Sequence, residues 1–165
     1  IPMIYAILAA ALVAVDQIVK YLVMTSIGFG EHVPLIPYIL ELTYVENTGA
    51  AFSIFSKHTW ALALVSLVMS AVLALALWKG LFKHPFGKMA LTLLLAGAVG
   101  NLIDRACRGY VVDMFNVLFM RFAVFNVADI CVVLGGIAGG IYYLFLMDKL
   151  EPKKEEPHDG AGADS

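Results

Sequence analysis

The stretch VVDMFNVLFMRFAVFNVAD, residues 111–129, places Asp113 and Asp129 on either side of a short and mostly apolar segment. The chain around this stretch is strongly apolar, since 61% of its 165 residues are hydrophobic and 15% are charged. An ionisable side chain close to hydrocarbon is costly, and it usually marks a functional site. We therefore interpret the two aspartates as partners in one site at the entrance of a membrane helix.

Length and composition predict an all-α membrane protein, with one four-helix bundle domain over residues 1–150. A helix needs about 20 apolar residues to cross the hydrocarbon core. Four stretches meet this requirement, at about residues 3–25, 59–78, 89–106 and 124–147. Residues 151–165 are charged and contain proline and glycine, which predicts a disordered cytoplasmic tail. The first span is too long for a signal peptide and no basic residue precedes it; because the chain begins with Ile1, we expect native residues before it.

The distribution of basic residues predicts the orientation in the membrane. Lysines cluster between the second and third spans and after the fourth. By the positive-inside rule these segments and both termini are cytoplasmic, and residues 28–58 and 107–123 lie outside. Arg105, Arg108 and Arg121 run against this rule, and we interpret them as site or lipid-headgroup residues.

The long outer segment contains two kinds of pattern. Residues 28–37 are rich in glycine and proline and predict turns and loop, whereas residues 40–44 alternate in polarity, as a half-buried strand does. Asn47 is placed to hydrogen-bond an extended peptide, although an ordinary turn position for this residue is an equal alternative. Gly49 has no side chain and would let another backbone approach closely.

Polar residues interrupt the first and third spans. Asp16 and Lys20 are four residues apart and can pair on one helix face. That pair either satisfies itself inside the bundle or supports a polar site. Asn101, Asp104 and Arg105 also share a face; Asp104 and Arg105 could form a surface ion pair, but a buried amide at Asn101 must find hydrogen-bond partners.

The fourth span opens with a further polar pair. Asn126 and Asp129 are three residues apart, which is typical of a helix N-terminal cap. All of these polar residues fall toward the outer face on the predicted topology, and the inner half of each span has almost none. Because independent structural roles would not converge on one depth, the pattern favours a site.

Metal, cofactor and nucleic-acid sites have no support in the sequence. Cys107 and Cys131 are the only cysteines, and we expect buried thiols rather than a disulfide. No CxxC or HExxH motif is present, so neither a metal site nor a cofactor is predicted. No basic run with interleaved aromatic residues indicates nucleic acid.

Five motifs occur in one order: DQxxK, NTGAAFS, GxxGNxxDR, VVD and FNxAD. In this order and spacing they resemble the lipoprotein signal peptidases, or signal peptidase II, of bacterial inner membranes. The resemblance covers the chain except its tail and implies a small extracytoplasmic β-cradle beside the four helices. It implies that Asp113 and Asp129 are the catalytic pair, although Met114 stands where the family usually has phenylalanine. The supporting polar residues that it implies are Asp16, Lys20, Asn47, Asn101, Asp104, Arg105 and Asn126.

The resemblance also implies an activity. The implied activity is that of an aspartic endopeptidase, and we expect a monomer. Its partners would be membrane lipids and a diacylglyceryl-modified prolipoprotein, which is cut just before the lipidated cysteine. Two carboxyl groups in one site share one proton, so the ionised group can activate water while the other binds the scissile carbonyl. Asp129, at a helix N-terminus, is expected to be the ionised one. The alternatives are a proton-coupled transporter with a carboxylate relay, and a scaffold that would tolerate asparagine at either aspartate.

Overall fold

The computed structural model describes residues 3–49 and 59–150. Residues 50–53 of the NTGAAFS motif and the predicted tail lie outside this part of the chain. Within the described residues, four helices are long and apolar enough to cross a membrane, which confirms the four predicted spans. They are α1 (Met3–Ser26), α2 (Thr59–Lys79), α3 (Pro85–Cys107) and a fourth span, Val127–Leu150. The fourth span consists of α4 (Val127–Ile141), a π-helical turn (Tyr142–Leu146) and α5 (Met147–Leu150).

Two spans begin at positions set by local capping rather than by hydropathy. α3 starts four residues before the predicted Met89, because Pro85 suits the first helical turn and His84 Nδ1 accepts the Phe86 N–H. The fourth span starts at Val127 rather than at Val124, because Asn126 caps it. Both helix starts are therefore set by local hydrogen bonds, which an average of hydropathy does not include.

α3 is the central helix of the bundle. It packs against α1, α2 and α4, whereas in the described part of the chain α2 contacts no other span than α3. Glycines allow the close approach of α3 and α4: a Cβ at Gly135 would stand 2.8 Å from the backbone nitrogen of Leu94 and 2.9 Å from the Ala90 carbonyl oxygen. Gly135 therefore allows the backbones of α3 and α4 to come into contact.

A three-stranded antiparallel sheet lies at the end of the bundle where α1 and α3 finish. Its strands are β1 (His32–Ile36), β2 (Leu40–Asn47) and β3 (Val111–Val117), in that order. The strand predicted at residues 40–44 is confirmed as part of β2. The prediction of a loop over residues 28–37 is wrong for β1, because the backbone of this strand pairs with β2. Pro34 is tolerated there because β1 is an edge strand.

The sheet is held against α1 by apolar packing. Val112 and Met114 of β3 are fully buried against Val23 of α1 and against Ile27, which directly follows that helix. This packing fixes the first half of β3, and hence Asp113, beside the bundle. Met114 is thus a core residue of the sheet.

The two cysteines are free thiols, as expected. Cys131 is buried, in agreement with the prediction. Cys107 is exposed, so the expectation that both are buried is wrong for this residue, which lies in the last turn of α3.

Candidate active site

A cavity of about 490 Å³ opens between the sheet, α3 and α4. One part of its wall is polar and carries both aspartates of the 111–129 stretch. The rest is apolar and comes from the β3–α4 connection and α4. The polar part and its neighbouring glycine comprise Asn47, Gly49, Arg105, Asp113 and Asp129.

Asp113 projects from the middle of β3 and is only 2% exposed. Its Oδ2 accepts a hydrogen bond of 2.9 Å from Asn47 Nδ2, and its Oδ1 accepts one of 2.7 Å from Asn126 Nδ2. Burial raises the pKa of Asp113 to about 6; the negative charge of Asp129 adds to the rise, and the two amide bonds and the charge of Lys20 oppose it. This carboxyl group therefore keeps a proton more readily than an ordinary aspartate.

Strand pairing explains why Asn47 reaches Asp113. Val45 of β2 lies opposite Asp113, and Asn47 lies opposite Val111. Residues two apart in a strand share one face, so Asn47 and Asp113 are diagonal neighbours. The Asn47 amide therefore binds the carboxylate, and its Oδ1 accepts the Gly49 N–H at 3.1 Å.

Asp129 lies in the first turn of α4 and forms a reciprocal cap with Asn126. Asn126 Oδ1 accepts the Asp129 N–H at 2.9 Å, and Asp129 Oδ2 accepts the Asn126 N–H at 3.2 Å. Asp129 Oδ1 accepts a further bond of 2.8 Å from Asn101 Nδ2. The predicted helix cap is confirmed, and it also holds Asp129 at the cavity.

Asn126 connects the two aspartates. Its side chain is fully buried, and its Nδ2 donates to Asp113 Oδ1 at 2.7 Å and to Asn101 Oδ1 at 3.1 Å. The same amide caps Asp129, so one side chain contacts both acids. The structure thus brings Asp113 and Asp129 to one cavity and links them through one residue.

A buried ion cluster lies behind this layer. Lys20 Nζ is 2.9 Å from Asp16 Oδ2 and 2.9 Å from Asp104 Oδ2, and it donates to Asn101 Oδ1 at 3.1 Å. The predicted pair of Asp16 and Lys20 is confirmed. Its partner Asp104, on α3, was not predicted to join it.

The alternative of a surface ion pair between Asp104 and Arg105 is wrong. Asp104 is fully buried, where it pairs with Lys20 and with Arg108, whereas Arg105 donates to Ser66 Oγ of α2 at 3.0 Å. Successive residues of a helix point in different directions, so the side chains of 104 and 105 diverge. Arg105 lines the cavity and Asp104 belongs to the ion cluster.

Three further side chains complete the site, and the sequence analysis assigned no functional role to two of them, Gln17 and Ser66. Gln17 Nε2 donates to Asp16 and to Asp104, and Arg108 binds Asp104 from the next turn of α3. Ser66 of α2 accepts a hydrogen bond from Arg105. An amide in an apolar span needs partners, and that requirement was the available signal for Gln17.

Comparison with known proteins identifies the relatives of this chain. The family described as signal peptidase (SPase) II matches residues 8–145. The lipoprotein signal peptidase of Enterococcus faecalis is 40% identical over 141 residues, which are 86% of this chain and 88% of that protein. The lipoprotein signal peptidase of Streptococcus pyogenes is 41% identical over 130 residues, 76% of this chain and 83% of that protein. A bacterial membrane enzyme solved at 2.3 Å resolution has a TM-score of 0.82 and 30% identity, covering 94% of this chain and 96% of that one.

Fold, site and relatives together define a multi-pass membrane enzyme that is an aspartic-type peptidase. The chain belongs to the signal peptidase II family. The resemblance seen in the five motifs is confirmed. The transporter and scaffold alternatives are set aside by this membership.

Proposed function

We propose that the chain removes signal peptides from lipid-modified prolipoproteins, and that Asp113 and Asp129 are its catalytic pair. The observation that carries the proposal is that both carboxyl groups line one cavity and are joined through Asn126, whose Nδ2 donates to the Asp113 carboxyl and whose backbone N–H donates to that of Asp129. Because aspartic peptidases need two carboxyl groups that share one proton, this arrangement supplies the required chemistry. The names of the relatives supply the substrate class.

The two carboxyl groups take different roles in the proposed mechanism. Asp129 is the ionised member, which takes a proton from the attacking water, because its position in the first turn of α4 favours negative charge. Asp113 is the protonated member, which donates a hydrogen bond to the scissile carbonyl; its raised pKa of about 6 supports this assignment. Proton transfer from water and stabilisation of the carbonyl oxygen then occur on one substrate bond.

Arg105 and the apolar wall account for substrate binding in this proposal. Arg105 lies in the cavity beside both aspartates, where its guanidinium group can hold a peptide carbonyl. Phe122, Val133 and Leu134 line the opposite, apolar part, which suits acyl chains and small apolar side chains of the precursor. The peptide would then lie along the sheet while its lipid stays in hydrocarbon.

We place the site on the extracytoplasmic face of the bacterial inner membrane, with both termini in the cytoplasm. The sheet and the polar cluster lie at the end where α1 and α3 finish. Lys79, Lys83 and Lys88 lie at the opposite end, in or beside the connection between α2 and α3. The positive-inside rule assigns that lysine-rich end to the cytoplasm.

The substrate proposal is tested with two forms of one precursor. The purified protein is reconstituted in lipid nanodiscs with a prolipoprotein that carries a diacylglyceryl cysteine and with its unlipidated version. We expect cleavage of the lipidated form just before the cysteine, located by mass spectrometry, and no product from the other. Equal cleavage of both forms, or a cut elsewhere, would contradict this substrate.

The assignment of the proton to Asp113 predicts a pH dependence. Asp113 must be protonated to donate to the carbonyl, so kcat/KM should fall as the pH rises through about 6, the pKa of this group in the free enzyme. The decline should approach about tenfold per pH unit, as expected for one ionisation. Initial rates with the lipidated precursor at low concentration measure it. A kcat/KM that rises steadily between about pH 5 and about pH 8 would contradict the need for a protonated carboxyl group in the pair.

A further inference from the structure

Two buried carboxylates accept hydrogen bonds from the backbone N–H groups of the residues that directly precede Asp113 and Asp129. Asp16 Oδ1 accepts the N–H of Ala128 at 2.8 Å, and Asp104 Oδ2 accepts the N–H of Val112 at 3.1 Å. Ala128 immediately precedes Asp129 in the chain, and Val112 immediately precedes Asp113. Each catalytic carboxyl group therefore stands one residue from a backbone position fixed by a carboxylate of another helix.

One ammonium group connects the carboxylates of Asp16 and Asp104. Lys20 Nζ lies 2.9 Å from Asp16 Oδ2 and 2.9 Å from Asp104 Oδ2, and the Lys20 side chain is 0% exposed. The same group donates to Asn101 Oδ1, and Asn101 Nδ2 donates to Asp129 Oδ1. α1, α3, β3 and α4 thus meet at Lys20.

We propose that Asp16, Lys20 and Asp104, called here the Lys20 cluster, form a positioning device that sets the separation of Asp113 and Asp129. The inference rests on the proposed function of these two aspartates. In this device Asp16 fixes the start of α4, Asp104 fixes the start of β3, and Lys20 fixes the two carboxylates relative to each other.

Stability alone is a poor explanation for the Lys20 cluster. Burying ions costs desolvation energy, and apolar residues of similar volume often stabilise a protein at least as well. What apolar residues cannot do is accept two backbone N–H groups at defined points. Since small displacements of reacting groups can lower rates by about 100-fold, a fixed geometry of this kind has a direct catalytic value.

The Lys20 cluster also acts on Asp113 through charge. The charged groups that act on Asp113 are Asp129 from α4, Arg105 from α3 and Lys20 from α1. Among these, Lys20 lowers the pKa of Asp113. Removing its charge should favour the neutral form of Asp113, so the pH at which kcat/KM declines should move upward.

The test compares Lys20→Met with Lys88→Met. Lys88 also lies in a spanning helix, near the opposite end of the bundle and over the ring of Tyr5, so it controls for loss of a lysine charge. For Lys20→Met we expect kcat to fall about tenfold or more and the decline of kcat/KM to move to higher pH, with KM for the lipidated precursor within about twofold. Lys88→Met should match the parent in all three quantities. A Lys20→Met protein with the parental pH profile would overturn the inference, because loss of folded enzyme lowers the rate without moving the profile.

A second pair of variants keeps the inference testable if Lys20→Met does not fold. Asp16→Asn retains an oxygen that can accept the Ala128 N–H, whereas Asp16→Ala removes it. We expect Asp16→Asn to keep at least about tenfold more activity per folded molecule than Asp16→Ala. Hydrogen exchange at Ala128 should be faster only in Asp16→Ala. Equal activity and equal exchange in the two variants would overturn the inference.

Failure of the inference is distinguishable from failure of the proposed function. If Asp113→Asn is inactive while Lys20→Met behaves as the parent, only the role of the Lys20 cluster is lost. If Asp113→Asn retains full turnover, the catalytic pair itself is wrong, whatever Lys20→Met does.

Discussion

Asp113→Asn and Asp129→Asn will each lower kcat for the lipidated precursor by about 10²- to 10⁴-fold, the contribution typical of a positioned acid or base. Asparagine has nearly the shape of aspartate but cannot exchange a proton at neutral pH. In the proposed mechanism, the first substitution removes the donor to the scissile carbonyl and the second removes the base for water. Quantitative cleavage assays in nanodiscs measure both losses.

Because the Asp→Asn substitutions disturb hydrogen bonds of the folded protein, the variants need a control for folding. Both oxygens of Asp113 accept bonds from amide nitrogens, so an asparagine there would turn its own NH₂ group toward a donor. Asp148→Asn is a matched change of a carboxylate in α5, far along the chain from the site. We expect all three variants to be inserted and monodisperse, and only Asp148→Asn to cleave. Full turnover by either site variant contradicts the catalytic pair.

The four spans could be predicted because long apolar runs determine them one at a time. A stretch such as Thr59–Lys79 contains no charge before its last residue, and no tertiary contact is needed to recognise it. The starts of α3 and the fourth span were less accurate, since local hydrogen bonds of His84 and Asn126 decide them. Strand β1 was missed because its pairing with β2 gives it a conformation that its glycine- and proline-rich surroundings do not indicate.

The polar residues of the site could be predicted as a group but not by their partners. Their common depth indicated one site, and the structure places them around one cavity and one ion cluster. Which group binds which depends on contacts between distant parts of the chain: Asp16 and Ala128 are 112 residues apart. Local spacing suggested that Asp104 pairs with its neighbour Arg105, whereas packing of α1 against α3 supplies Lys20 instead.

Asn126→Ala should damage both stability and catalysis, because this one amide serves three roles. It caps α4, it donates to Asp113 Oδ1, and it donates to Asn101 Oδ1. Loss of a helix cap costs about 0.5–2 kcal/mol, and the buried Oδ1 of Asp113, left without its donor, costs about 1–3 kcal/mol more. Since Asp113 and Asp129 also lose their shared contact, we expect kcat to fall about 100-fold.

Asn116→Ala is the matched control for this substitution. Asn116 lies in the same strand as Asp113, but its side chain binds Glu41 on the sheet and not an aspartate of the cavity. Thermal unfolding in detergent and cleavage assays should show a lower Tm and a lower kcat for Asn126→Ala, with much smaller changes for Asn116→Ala. A stable Asn126→Ala protein with normal kcat would mean that the two acids hold their positions without the amide that joins them. In that case the bonds from Asn47 to Asp113 and from Asn101 to Asp129 would fix the geometry, and the separation of the two carboxyl groups would not depend on Asn126.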